Sequence, residues 1–268
     1  MTEPAVFRNR SLTQAFAAGA VIGTLGGLIG LGGAEFRLPV LIGLFGFVAL
    51  HAVILNKAMS LVVVASALLF RTKAVPLDLV LAHAPVVLNL LAGSLLGAWL
   101  GAGWATRLRT QTLYRVLAVL LLLIAAALLA EHWLPGRGQA LLSGPAQWVA
   151  GAMAGFGIGV VASLMGVAGG ELLIPTLVLL FGADIKLAGS LSLAVSLPTM
   201  VVGFARYSRD RSFEVLGQNK RFVLVMAAGS LLGTAIGGAL LGRVPAGLLL
   251  PSLAAMLVVS AYKTWRHV

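Results

Sequence analysis

Long apolar runs separated by short polar connections dominate the chain. Eight stand out: Ala15–Ala34, Val53–Phe70, Leu79–Ala105, Leu113–Leu134, Trp148–Gly170, Leu187–Ala205, Phe222–Leu241 and Leu248–Tyr262. Such runs read as membrane helices, because about 20 residues at about 1.5 Å rise cross a hydrocarbon core of about 30 Å. Two further runs, Leu38–Leu50 and Leu172–Ala183, are too short to span comfortably. The pattern predicts an all-α polytopic membrane protein of about eight long transmembrane helices plus two short broken or re-entrant ones, with no sizeable soluble domain.

The pattern occurs twice. Displaced by 136 positions, "GLGGAEFRLPVLIGLFG" (30–46) lies over "GVAGGELLIPTLVLLFG" (166–182). Gly30, Gly33, Glu35, Pro39, Leu41, Leu44, Phe45 and Gly46 then meet identical residues. The same shift superposes "AGSLLG" at 92–97 on "AGSLLG" at 228–233, Arg107 on Arg243 and Leu113 on Leu249. A half-chain period in a membrane protein points to a transporter built from two related halves. The expected division is a first membrane repeat over 1–134 and a second over 135–268, joined near "LPGRGQ" and together forming one transmembrane domain.

Composition agrees with the membrane reading. Hydrophobic residues make up 60% of the chain and charged ones 10%, against about 45–50% and about 25% in soluble domains. Mean hydropathy is +1.03. On a soluble chain a net charge of +11 would suggest nucleic acid. Here the basic residues lie mostly in short connections, where they orient the chain in the bilayer, so no nucleic-acid partner is expected. With no cysteine there is neither a disulfide nor a thiolate metal site, and no cofactor or metal is expected. The run after Arg8 and Arg10 is too long and Gly-rich for a signal peptide, and it belongs to the repeat, so it should be retained.

Loop charge also bears on how the halves are related. Arg71 and Lys73 stand opposite Arg206, Arg209, Arg211, Lys220 and Arg221 of the second half, whereas Arg107, Arg109 and Arg115 stand opposite Arg243 alone. The basic-rich member switches halves, as it should if equivalent loops lie on opposite sides. Inverted repeats are therefore favoured over parallel ones. The 105–112 and 206–221 loops are expected in the cytoplasm, the 71–78 and 134–147 loops outside, and both termini inside a bacterial-type inner membrane.

Each copy of the glycine–glutamate–proline motif reads as helix, glycine turn, glutamate, apolar residues, proline, short helix. Glycine permits unusual backbone angles and proline suits a helix's first turn. The first helix should stop near Gly32–Gly33 and a new one start around Glu35–Pro39. Broken helices at membrane depth are tolerated where protein or a cavity satisfies the freed backbone, and a half-helix N-terminus favours an anion. The candidate substrate site is thus Gly32, Gly33, Glu35 and Arg37 in one half and Gly169, Gly170 and Glu171 in the other, with Asn56, Ser60, Ser192 and Ser196 as polar groups nearby.

Two readings stay open for Glu35 and Glu171. Each carboxylate caps its own short helix, or the pair carries protons beside the substrate, since desolvation and a second carboxylate both raise a carboxyl pKa. Arg37 stands opposite Leu173. It is an ion-pair partner, a snorkelling residue, or a counter-charge whose guanidinium matches an oxyanion. Asn56 and Lys57 start a helix, with Lys57 read as a boundary residue before a vestibule residue. Asn89 and the serines are suited to hydrogen bonds between helices. His51 and His83 belong near the interfaces and are not expected to be ligands.

The duplicated Gly-Leu-Gly-Gly-Ala-Glu-Phe-Arg-Leu-Pro and Gly-Val-Ala-Gly-Gly-Glu-Leu-Leu-Ile-Pro segments resemble the TauE/SafE family of sulfite exporters. The resemblance extends to Ala58–Leu61, Ala188–Leu191 and both Ala-Gly-Ser-Leu-Leu-Gly segments, and covers nearly the whole chain. The commoner family pattern has an apolar residue where Glu35 and Glu171 stand. The resemblance implies a secondary transporter of a small sulfur-containing anion: sulfite, a sulfonate or a related oxyanion.

The function expected is alternating access around the paired breaks, driven by the proton gradient through Glu35 and Glu171. The partners are a small anionic substrate and the lipid bilayer, with a homodimer left open. The alternatives are a transporter of a cation or other small solute held by ionised Glu35 and Glu171, and a non-transporting membrane enzyme or scaffold. "GLGGAE" lacks the third glycine of a dinucleotide loop and the strand–turn–helix setting it needs. No H-E-x-x-H, G-x-S-x-G or cysteine nucleophile is present, so no enzyme is expected.

Overall fold

Within a bilayer the backbone must satisfy itself, so apolar runs of this length form helices. The computed structural model describes residues 11–29, 33–71, 77–133, 140–183 and 185–240, with positions 255, 258–259, 261–262 and 264–266 beyond them. Eleven helices are described: α1 (Leu12–Ile29), α2 (Ala34–Gly43), α3 (Ala49–Arg71), α4 (Leu77–Ala82), α5 (Ala84–Arg107), α6 (Thr110–Trp133), α7 (Gly144–Met165), α8 (Gly170–Phe181), α9 (Ile185–Tyr207), α10 (Glu214–Gln218) and α11 (Lys220–Ala239). No strand occurs among the described residues. Five described segments are long and apolar enough to cross a membrane: Ala49–Ala67, Ala84–Arg107, Gly144–Met165, Leu187–Tyr207 and Lys220–Gly237. Leu12–Gly26, Thr110–Leu123 and Leu172–Phe181 are shorter apolar helices. The expected Leu248–Tyr262 helix lies mostly outside the described residues.

Several boundaries differ from expectation, each for a local reason. The run 38–50 is not one short helix. Gly46, at φ 67°, turns the chain, so α2 stops at Gly43 and α3 starts at Ala49, four residues before Val53. The run 79–105 is broken at His83, and Pro85 sits in the first turn of α5, where a missing N–H is harmless. The prolines of the duplicated motif do not open the short helices. Gly33 (φ 69°) and Gly169 (φ 80°) take the left-handed turn, so α2 and α8 begin directly after them, and Pro39 and Pro175 lie inside. There each proline removes the donor for the carbonyl four residues earlier, which belongs to Glu35 or Glu171.

Two tight helix pairs hold the bundle. α1 packs along α11, with Gly23 so close to the Ser230 carbonyl that a Cβ could not fit, and Gly229 and Gly233 equally close to Phe16 and Ala20. α5 packs along α7 in the same way: Gly93 and Gly97 abut Ala152 and Phe156, and Gly155 and Gly159 abut Leu90 and Ser94. Small residues four apart let backbones approach closely, which is how membrane helices associate without a hydrophobic drive. In both pairs contact positions rise together along the two helices, so each pair is parallel.

α1 and α2 enter and leave by one face. Phe45 and Phe47, just past α2, lie edge-on to Phe222 at the start of α11 (centroids 4.8 and 5.4 Å), and α11 runs parallel to α1. α7 and α8 likewise fold back, but on the opposite face: Gln147 donates to the Leu180 carbonyl (2.7 Å) and the Trp148 ring lies tilted against Phe181 (6.0 Å). α3 therefore leaves the first face while α9 returns to it. There Arg206 and Arg209 of the α9 end lie over the Trp99 ring of α5 (5.5 and 4.8 Å).

Candidate functional site

The start of α2 and the turn between α7 and α8 lie inside the protein and meet against α3. Gly33 places the start of α2 there, and α2 is buried almost all round, with Phe36, Leu38 and Leu41 inaccessible. A helix apolar on all sides belongs in a core, yet α2 also carries Glu35 and Arg37, both buried. Glu35 lies in its first turn, where a carboxylate complements the helix dipole, and its charge interacts favourably with Arg37.

Arg37 reaches α3. Its Nη1 donates to Asn56 Oδ1 (3.3 Å) and Ser60 Oγ (3.2 Å). Asn56 and Ser60 are four apart and so share one helix face. Full burial inside protein excludes the snorkelling reading of Arg37. The Asn56 Nδ2 donates to the Ala34 carbonyl (2.9 Å) and the Met165 carbonyl (3.2 Å). One side chain thus holds the start of α2, the end of α7 and the guanidinium.

The structure brings Gly33, Glu35, Arg37, Asn56 and Ser60 into one group. Gly169 makes the matching turn and Gly170 opens α8. Ser192 donates within its own helix to the Gly189 carbonyl (2.9 Å). Ser196 is buried with no hydrogen-bond partner among the described residues. Gly32 and the Glu171 side chain lie outside the described residues. Asn89 donates from α5 to the Trp148 carbonyl of α7 (2.9 Å), and His83 Nδ1 bonds the Leu79 carbonyl within its own segment (2.9 Å).

Lys57 is a correction. It is no boundary residue: it lies eight positions into α3 and is inaccessible. Its ammonium reaches the Ala162 carbonyl (3.3 Å) and Ser163 Oγ (3.4 Å) at the end of α7, and Tyr207 donates to the Ser163 carbonyl (2.9 Å). Starting the helix at Val53 concealed this, because it left Lys57 in the first turn. Ser94 and Thr199, also not singled out from sequence, pair between α5 and α9 (2.7 Å). The signal for Ser94 was a lone hydroxyl in its apolar run, whereas Thr199 shares its run with Ser190, Ser192 and Ser196.

Chemically, the group offers a planar guanidinium, a hydroxyl and an amide that can meet oxygen atoms, beside one carboxylate able to hold a proton. No cluster of three or more metal-ligating residues occurs among the described residues. No curated protein and no solved structure matches the chain. The family described as sulfite exporter TauE/SafE does, over residues 10–264. With nearly the whole length matched and an all-helical apolar fold carrying the duplicated motif, this chain belongs to the TauE/SafE family of sulfite exporters, as a multi-pass membrane protein.

Proposed function

We propose that the protein carries a small oxyanion, such as sulfite, a sulfonate or a related sulfur anion, across the bacterial inner membrane by alternating access around the two hairpin tips. The observation that carries this reading is the buried Arg37 guanidinium at the α2 tip, flanked by Asn56 and Ser60. A guanidinium matches the spaced oxygens of an oxyanion. A charge held at membrane depth, at a cost of about 2.5–3.5 kcal/mol on insertion scales, marks a pathway more often than a prop. Glu35 and Glu171 carry the coupling proton, and Gly32, Gly33, Gly169, Gly170, Ser192 and Ser196 complete the site.

The two-repeat reading, 1–134 and 135–268, has support in the helix starts. Ala34 and Gly170, Ala49 and Ile185, and Ala84 and Lys220 begin elements at the same spacing. The glycines of the two tight pairs recur at it too: 19 and 23 with 155 and 159, 93 and 97 with 229 and 233. The opposite directions of α3 and α9 favour inverted repeats. The first face carries Arg107, Arg109, Arg115, Arg206, Arg209, Arg211, Lys220 and Arg221, against Arg71 at the end of α3 and Lys186 at the start of α9 at the second. Basic loops stay inside, so the first face is cytoplasmic in this reading.

The rival is a cation carrier using ionised Glu35 and Glu171. The buried cations Arg37 and Lys57 would repel a cation and weigh against it. The test is counterflow in proteoliposomes with a panel of sulfite, sulfate, thiosulfate, a short sulfonate and small cations. Saturable exchange of an oxyanion, absent from empty liposomes, is expected. Cation exchange that vanishes on replacing the glutamates would instead establish the rival, and product formation without flux would establish an enzyme.

A further inference from the structure

Lys57 has no role in the site as read so far. Its surroundings are unusual for an ammonium. It is inaccessible, sits in an apolar helix, and stands 136 positions from Leu193, so the repeat's packing does not require a charge there. Its two acceptors are a carbonyl and a hydroxyl, both at long range (3.3 and 3.4 Å), and it has no carboxylate partner among the described residues. Buried charges are ordinarily paired. Space is kept for it as well: at Gly203 of α9 a Cβ would collide with Lys57 Cε and Nζ.

Its position relative to Arg37 matters. Arg37 bonds Asn56 and Ser60, one residue before and three residues after Lys57 on α3. The Lys57 ammonium shares Ser163 with Tyr207, the last residue of α9 at the first face. It therefore stands beside the Arg37 group, between α3, the last turn of α7 and Gly203 of α9.

We propose that Lys57 is a second anion-binding side chain of the transport pathway, parked on the end of α7 in this conformation and turned to the oxyanion on its passage past Arg37. The ammonium has three donors, and its present acceptors are neutral. A substrate oxygen bearing negative charge outcompetes them, since hydrogen bonds between charged partners are the shorter and stronger ones. The release of the α7 tip is then tied to occupancy of the path. This inference rests on the anion-transport reading and extends it to a residue outside the duplicated motif.

The test uses the full-length protein in detergent and in proteoliposomes, with radiolabelled sulfite as the probe. Lys57→Gln keeps a donor for Ala162 and Ser163 but removes the charge, and Lys57→Arg keeps the charge. Lys57→Gln should weaken sulfite binding at least tenfold, and Lys57→Arg should recover most of it. Sulfite should raise the melting temperature of the wild type and of Lys57→Arg but not of Lys57→Gln. That increment is read within each variant, so a less stable Lys57→Gln remains informative. A lowered baseline with an unchanged sulfite increment would make Lys57 a helix-end prop and overturn the proposal, as would wild-type affinity in Lys57→Gln. Failure of the wild type to bind or exchange sulfite or any other oxyanion of the panel would defeat the anion reading itself, and this proposal with it.

Discussion

The side-chain amide of Asn56 lies 3.2 Å from the backbone carbonyl of Met165, which ends α7 in the other half of the chain. The same nitrogen holds the Ala34 carbonyl at the start of α2 (2.9 Å). Asn56 thereby ties two hairpin tips to α3 while its oxygen accepts from Arg37. Any motion that separates the tips must break one of these bonds.

Replacing Asn56 should accordingly affect both stability and flux. Asn56→Ala removes the donor to two carbonyls and one acceptor of the Arg37 guanidinium. Unmaking bonds to buried groups of this kind costs about 1–3 kcal/mol, so the variant should melt several degrees lower in detergent and lose most exchange activity. Asn56→Asp keeps the acceptor for Arg37 and loses the donors, and should fall between the two. Melting of the alanine variant together with wild type would show that the tie carries no weight.

The close glycine contacts make a position-specific prediction. Gly159 of α7 faces the Ser94 carbonyl with no room for a Cβ, whereas a Cβ at Gly157, on the exposed side of the same helix, meets nothing within 4 Å. Gly159→Ala should separate α5 from α7 and lower the melting temperature markedly. Gly157→Ala should be neutral or stabilising by up to about 1 kcal/mol, the usual helix preference of alanine over glycine. Gly23→Ala in α1, against Ser230, should reproduce the Gly159→Ala defect.

The arrangement of faces can be read by labelling, because the chain has no cysteine of its own. Thr110→Cys at the start of α6 and Ser208→Cys after α9 should react with an impermeant thiol reagent from the same side. Leu141→Cys, before α7, should react from the other. Labelling of Thr110→Cys and Leu141→Cys from one side would rule out inverted repeats.

Glu35→Gln and Glu171→Gln separate the two roles of the carboxylates. Glutamine keeps shape and hydrogen-bonding capacity but cannot titrate. If the pair carries the coupling proton, both variants should fold and insert, keep passive substrate exchange, and lose proton-driven accumulation by tenfold or more. The measurement is substrate-driven pH change in liposomes, with the double variant included. Undiminished coupling in the double variant would leave only helix capping.

The sequence by itself determined that the chain is helical and membrane-embedded, because apolar run length is set against bilayer thickness and needs no tertiary information. It also located the two short helices and the breaks before them. Glycine's access to the left-handed region is a local property, so Gly33 and Gly169 turned the chain close to where expected. Helix ends were less legible. Pro39 stretched the expected start over Glu35–Pro39, but the preceding glycine had already begun the helix at Ala34. Tertiary packing alone decided which polar residues meet. Glu35, Arg37 and Asn56 were visible as charges and amides in apolar surroundings, but nothing local says that Asn56 reaches Met165. Lys57 was misjudged for the same reason. Whether a lysine ends in water or against the last carbonyls of another helix depends on where α7 stops and on the missing side chain at Gly203, and both are facts of the folded bundle.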